Sequence, residues 1–268
     1  MLKYSRLWSL FILILIVFHL FSCRKIVQDE FDSFTNLITI NAVLVEGDSI
    51  KVHLTFSDEL NDQPLNVIAD AQVEVVINHL NIDTLSYSGN GIYSSDYICS
   101  SGDNIEIHVI TAQGKPIFAN TIIPDSTNIN ATSINDNVWI DNEGISQPAL
   151  YLSIKNNPLV SEYFEVMLFA DAESVSFLVN DENSENEFIE VQIPFKKGYT
   201  NSLMVEFRAV SFSYYEYVRT YKLYLEGRYP EFGIGTVLPF NIYSNIDNGL
   251  GIFCAYNPSY PIQLQISN

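Results

Sequence analysis

Positive charge is scarce in this chain: 13 Lys and Arg stand against 32 Asp and Glu over 268 residues, a formal net charge of −19. Binding to nucleic-acid phosphates or to anionic membrane surfaces is driven by Lys and Arg that release counterions, so nucleic acid is excluded as a partner. Histidine is also rare. His53, His79 and His108 fall on solvent-facing strand positions or a strand end, with no HExxH or paired spacing, and read as exposed strand residues rather than metal ligands. Three cysteines occur, none in a CxxC pair; Cys99 and Cys254 lie in different halves in apolar surroundings, which favours two buried free thiols over a cross-link. No GxSxG, P-loop or GxGxxG segment is present, so the chain lacks the usual equipment of hydrolases, NTPases and dinucleotide enzymes. A hydrolase working through a dispersed carboxylate pair is the least favoured alternative, because so many acids offer accidental pairs and no spacing singles one out. The chain reads as non-enzymatic, with no catalytic residue to name.

What is present begins with a single long apolar run. Met1 to Arg6 carries Lys3 and Arg6 and no acid, and Leu7 to Phe21 is then apolar except for Ser9 and His19. A helix of that length covers about 22 Å, short of the roughly 30 Å hydrocarbon core, so the segment reads as a secretion signal over 1–22 rather than a permanent span. It closes on Leu20-Phe21-Ser22-Cys23, which resembles a bacterial lipobox. The resemblance implies cleavage before Cys23 and acylation of that residue, with several chains holding the protein at about 0.8 kcal/mol per buried methylene. A plain signal with an incidental cysteine is the alternative. Residues 23–35 form a polar tether in which Arg24, Lys25, Asp29 and Glu30 resemble a loose surface-export signal or serve as a solvated spacer. The expected location is the outer membrane, lipid-anchored, with the leaflet open.

Hydrophobic content of 47% supports real cores, and the rest of the chain is written in strands. Ile38, Ile40, Ala42 and Leu44 alternate with polar neighbours, Glu46-Gly47-Asp48 turns, and Ile50, Val52, Leu54 and Phe56 return, which predicts a hairpin with one buried face. Val73, Val75 and Ile77, then Ile105, Ile107 and Val109, then Ile117 and Ala119 continue the period of two, with turns at Asn90-Gly91 and Gln113-Gly114-Lys115. These segments predict an N-terminal antiparallel β-sandwich over 36–124, Ig-like or carboxypeptidase-regulatory-like. The polar stretch from Pro124 to Thr132 reads as a boundary.

A second β-rich domain is expected over 133–268, from Leu150–Ile154, Tyr163–Phe169, Ser174–Val179, Phe188–Ile193, Leu203–Val210, Val237–Tyr243 and Leu250–Ala255, the last two joined by an Asn248-Gly249 turn. One helix is predicted near 213–226, capped by Ser211 or Ser213 and ended at Gly227. Tyr214, Tyr217, Tyr221 and Tyr224 recur three or four apart on it, and serve either as its packing face or, less favoured, as a ligand surface for sugars. Asp136–Glu143 and Asp181–Glu187 are dense in oxygen donors. Neither fits an EF-hand loop, so solvated loops are favoured over Ca²⁺ sites and no cofactor is expected.

The order of these segments resembles a known family. Signal and lipobox, "INAVLVEGDSIKVHLTFS", "ADAQVEVV", "GNGIYSSD", "YYEYVRTYKLYLEG" and "IYSNIDNGLGIFCAY" together resemble the Bacteroidota envelope lipoproteins grouped as domain of unknown function 4249. The most specific piece is Ser244 to Phe253, in which Asn245, Asn248, Gly249, Gly251 and Phe253 are expected to be structural, Asn248-Gly249 as a type I′ turn and Gly251 at a bulge or close contact. The resemblance supplies no catalytic residues. It implies a non-enzymatic binding or accessory subunit for a TonB-dependent nutrient-uptake receptor, with a solitary glycan- or peptide-binding or adhesion module as the alternative.

Overall fold

β1 (Ile38–Val45) and β2 (Ser49–Phe56) form the predicted hairpin, with Ile40 opposite Leu54 and Gly47 at φ +83 in the turn. Its alternating residues Ile40, Leu44, Ile50, Val52 and Leu54 are buried, as a strand with one core-facing side requires. The computed structural model describes residues 37–57, 65–112, 115–127, 129–140, 143–170, 173–181, 186–196, 202–228 and 240–266. The signal 1–22, the tether with Cys23, the Gln113-Gly114 turn, residues 141–142 and 182–185 of the acidic stretches, and Val237–Pro239 lie outside the described residues.

β3 (Gln72–Ile77), β4 (Asn81–Thr84), β7 (Asn104–Ile110) and β8 (Ile117–Ile122) make a second sheet in the order β4-β3-β7-β8. It faces β1, β2 and β6 (Ile92–Ile98), and Val75, Ile107, Ile117, Tyr93 and Leu54 meet in one core between the layers. This is the expected sandwich. Asn90 and Gly91, at φ 51 and 76, join β5 (Ser86–Gly89) to β6 through the tight turn that only left-handed residues allow.

The later half builds a second core. β11 (Tyr163–Ala170), β12 (Glu173–Asn180) and β14 (Ser202–Val210) face β10 (Ser146–Lys155) and β13 (Phe188–Pro194), burying Leu152, Phe164, Val166, Phe207 and Ile193. Phe164 and Phe207 stack at 5.3 Å inside it. β9 (Ile129–Ile140) corrects the sequence reading, which left 124–132 as a boundary and Asp136–Glu143 as an acidic loop. It pairs with β10 across a register shift between Gln147 and Ala149, at the edge of the β13-β10-β9 sheet. Edge strands are held by backbone pairing more than by burial, so its weak apolar alternation hid it. β16 (Ile262–Gln265) pairs with β14.

The two halves share one sheet. β15 (Leu250–Pro258) runs between β14 and β1 and pairs with β1 in parallel from Thr39↔Leu250 to Val45↔Tyr256, giving the order β12-β11-β14-β15-β1-β2-β6-β5. Phe253 and Ala255 enter the first core while Cys254, facing the other way, is also buried, so the near-continuous "IFCAY" reads as a strand covered on both faces. The expected strand Val237–Tyr243 is not formed over its described part: residues 240–246 run without regular structure. Nor is Asn248-Gly249 a type I′ turn. Asn248 is left-handed at φ 64 but Gly249 is not, and the segment makes an isolated bridge from Asp247 to Phe118. On the side of β15 away from β1, residue Asn245 meets Phe253 through its side-chain amide instead of its backbone, so no second strand forms there.

The helix α1 (Phe212–Arg228) lies within two residues of its predicted limits. Ser211 Oγ accepts the Tyr214 N–H at 3.3 Å and caps it. The fold is mainly β with this one helix among the described residues, and no described helix is long and apolar enough to cross a membrane.

Candidate functional site

The sequence places four tyrosines on α1, and the structure gives them different tasks. Tyr214 Oη donates to Glu165 at 2.7 Å beneath the helix, and its ring meets Tyr256 edge-on. Glu165 is 4% exposed; it also accepts Ser176 Oγ and lies 3.8 Å from Arg208, whose guanidinium sits 4.7 Å from the Tyr256 ring centre. Lys222 Nζ reaches across to the Ser176 carbonyl at 2.6 Å. Burial and then the Glu165 bond push the Tyr214 hydroxyl well above its ordinary range, and burial pulls Lys222 down. Every member is partnered, so the network fastens α1 to β11, β12 and β14 rather than awaiting a substrate. Tyr217 and Tyr221 stack in parallel at 6.2 Å with Tyr221 42% exposed, and Tyr224 is half-buried. The helix tyrosine that packs most deeply is Tyr215, outside the stripe, which accepts Asn180 Nδ2 and meets the Tyr163 ring at 5.0 Å.

The C-terminal signature gathers at one seam. β14 gives way to α1 at Ser211, so β15 loses its antiparallel neighbour beyond Tyr256, and side chains take over the ladder. Ser211 N–H donates to the Ala255 carbonyl at 2.9 Å and its Oγ accepts Ala255 N–H at 3.0 Å. Asn245 continues this one step on: Oδ1 accepts Phe253 N–H at 3.0 Å, and Nδ2 donates to the Phe253 carbonyl at 2.8 Å and to the Asn120 carbonyl at 3.1 Å. Asn248 Nδ2 holds the Pro116 carbonyl, so the segment also covers the edge of β8. Gly249 and Gly251 sit where a Cβ would come 2.8 Å from the Ile38 carbonyl oxygen and 2.0 Å from that of Ile40. The signature residues therefore do structural work.

The histidines do not converge. His53 is half-buried on β2; His79 and His108 both face Glu106, at 2.9 and 3.9 Å, on an outer sheet surface. Among the described residues no three His, Cys, Asp or Glu side chains are placed to hold a metal ion. Cys99 and Cys254 are free and buried. Burial, with Asp103 and Asp48 adding, pushes the Cys99 thiol up to about 11, and burial pushes Cys254 up to about 12, so neither is a nucleophile at neutral pH.

A cleft of about 470 Å³ opens where the two cores meet, a feature the sequence reading missed. Its walls are the end of β8 to Asp125, the connection Asn157–Tyr163, the corner from Ala209 to Ser213, and Tyr243 with Asn245. Tyr163, Phe212 and Tyr243 form a run of rings at 5.4 and 6.1 Å. Glu162 is the polar focus: Oε2 accepts Asn157 N–H at 2.7 Å, and burial, with the charges of Asp181 and Asp125 adding, holds its carboxyl above the ordinary range. Among the described residues no Lys, Arg or His lines the cleft. Segments far apart in sequence supply these walls, and no local spacing announces such a meeting.

Glu162 gives a pH prediction. An acid whose folded pKa is raised binds its proton more tightly in the fold, so its contribution to stability falls as pH rises from the unfolded value through the folded one. Glu162→Gln should therefore raise the urea midpoint at pH 7, by no more than about 1 kcal/mol because water screens the half-exposed group, and change nothing below about pH 4. Equal effects at both pH values would refute this origin.

No curated protein matches the chain. Among solved structures it is similar to the chicken interferon gamma receptor alpha chain, at 8% identity and TM-score 0.28, covering 88% of this chain and 100% of that one. It is also similar to the FN1-FN3 domains of chicken CNTN1, at 8% identity and TM-score 0.32, covering 85% and 63%. A DUF4785 family protein from Legionella pneumophila matches at 11% identity and TM-score 0.28, covering 68% and 53%. The family profile for the domain of unknown function DUF4249 matches residues 24–260, a span that takes in both cores, α1 and the Asn245–Phe253 seam, and the chain belongs to that family.

Proposed function

We propose that this chain is a Bacteroidota envelope lipoprotein, acylated at Cys23 and anchored to the outer membrane, whose β-domain is a non-enzymatic binding or accessory subunit of a TonB-dependent nutrient receptor. The observation that carries the anchor is Leu20-Phe21-Ser22-Cys23 at the end of a fifteen-residue apolar run, where processing has to occur. The binding role is supported by the cleft: rings and carboxylates meet there, and no nucleophile and base lie paired among its described residues. The Tyr217–Tyr221 stack, in which Tyr221 is exposed and Tyr217 half-buried, favours one second reading, a solitary glycan-binding or adhesion module, because parallel aromatic faces suit sugar rings.

The test is a mild-detergent pull-down of the tagged full-length protein from its native envelope beside a Cys23→Ala form, read by mass spectrometry. A stoichiometric β-barrel receptor with the wild type, and a soluble, receptor-free Cys23→Ala form, are expected. Membrane retention of Cys23→Ala would sink the lipid anchor. A wild type that comes down without a receptor would shift the reading to the solitary module.

A further inference from the structure

The cleft between the cores has a chemical bias that narrows its ligand. Glu162 and Asp125 stand in its wall, and behind Glu162 lies Asp181, whose charge acts on Glu162; Asp181 is 7% exposed and its Oδ1 has no hydrogen-bond partner. Asp181 is tied directly to the site, since its N–H donates to the Glu162 carbonyl at 3.3 Å. A carboxylate oxygen withdrawn from water without a partner is costly, and the charges that act on Glu162 from its surroundings are themselves carboxylates. Burial and these two neighbours raise the Glu162 carboxyl together, which a bound cation would reverse. Glu162 Oε1 and Asp125 Oδ2 make no hydrogen bond among the described residues; the other oxygens accept Asn157 N–H and Ser101 Oγ, at 2.7 Å each.

We propose that this cleft receives a Lys or Arg side chain of a peptide segment, with the cation at Glu162 and Asp125 and the aliphatic stem against Tyr163 and Phe212. Asp181 adds negative charge from behind Glu162. The proposal rests on the reading of the domain as a binding module and names its ligand class. A metal ion fits less well, because no three acids or histidines among the described residues are arranged to share one. Val160, Tyr163, Phe212 and Tyr243 give the wall an apolar and aromatic side, which suits a single cation carried on an apolar stem. A polyamine would press further charges against those rings. The volume, about 470 Å³, lies in the ordinary range for a ligand site.

The test is calorimetric titration of the full-length protein in detergent micelles with acetyl-Ala-Phe-Lys-Phe-Ala-amide and with the same peptide carrying Gln for Lys. The Lys peptide should bind, and the Gln peptide should bind at least about ten-fold more weakly, as loss of one charged hydrogen bond implies. Glu162→Gln should weaken the Lys peptide by about ten-fold. Val160→Arg, at a rim position 56% exposed where the fold tolerates change, should abolish binding by placing a tethered cation in the cleft. Equal affinity for the two peptides, no binding of either, or indifference to both variants would overturn the proposal. Spermidine bound more tightly than the Lys peptide would overturn the peptide assignment, and calcium chloride heats lost in Glu162→Gln would replace it with a metal site. These titrations need no membrane partner, so their failure is distinct from failure of the receptor pull-down.

Discussion

Replacing Gly251 with alanine should remove roughly 3–6 kcal/mol of stability, much of what a domain of this kind has. Gly251 sits at φ +102, a backbone region hostile to side chains, and its Cβ would lie 2.0 Å from the Ile40 carbonyl oxygen and 2.9 Å from the carbonyl carbon. Both atoms belong to the backbone of the paired strand, Ile40 being the register partner of Gly251, so no rotamer change relieves the clash. Relief requires β15 to move away from β1, and that parallel pairing is what joins the two cores. The comparison is Gly47→Ala. Gly47 is at φ +83 with nothing within 4 Å of the added atom, so it should lose only the conformational term, about 1 kcal/mol. Denaturant unfolding of both variants decides it: similar midpoints would show that backbone proximity at Gly251 does not matter.

Asn245→Ala is the second large effect, expected to cost about 2–4 kcal/mol. The amide stands in for a missing strand, and its loss strands the N–H of Phe253, a residue with no exposed surface, while Ser213 Oγ at 3.3 Å still serves the Phe253 carbonyl. It also releases the Asn120 carbonyl on β8. Asn245→Asp tests the assignment more sharply. The shape and the bond from Phe253 N–H are kept, but both donors vanish and a carboxylate oxygen faces the Phe253 carbonyl, so Asp should be no better than Ala at pH 7 and should recover in part in acid, when the carboxyl can donate again. Amide exchange at Phe253, read by NMR, should quicken in both variants. Unchanged protection there would mean that the strand ends at Ala255 without help from Asn245.

The strands of the first core were legible because each buries one face. Ile38 to Leu44 and Ile105 to Val109 alternate strictly, and a period of two has no other cheap explanation in a chain that must bury apolar side chains. The limits of α1 were legible for a similar reason, since Ser211 and the run without Gly or Pro act locally. β9 was not, because an edge strand draws its stability from backbone pairing with β10, which leaves little trace in side-chain pattern. The tyrosine stripe was read correctly as a spacing and incompletely as a face: whether Tyr214 reaches inward depends on Glu165, 49 residues earlier, and the Tyr221 ring stacks on its own helix neighbour Tyr217.

The residues by themselves determined the strand-dominated class, the single helix within the described chain and the likeness to the family of domain of unknown function DUF4249. These follow from composition, periodicity and short motifs, where each residue is informed by its neighbours in the chain. Only the tertiary structure decided that β15 crosses back to lie parallel to β1, that Asn245 and Ser211 finish its ladder, and that Glu162 and Asp125 share a cleft with the Tyr163–Phe212–Tyr243 rings. Parallel pairing and the meeting of distant loops depend on contacts between segments far apart in sequence, whose loop-closure cost is repaid by burial across the whole domain and by no local signal.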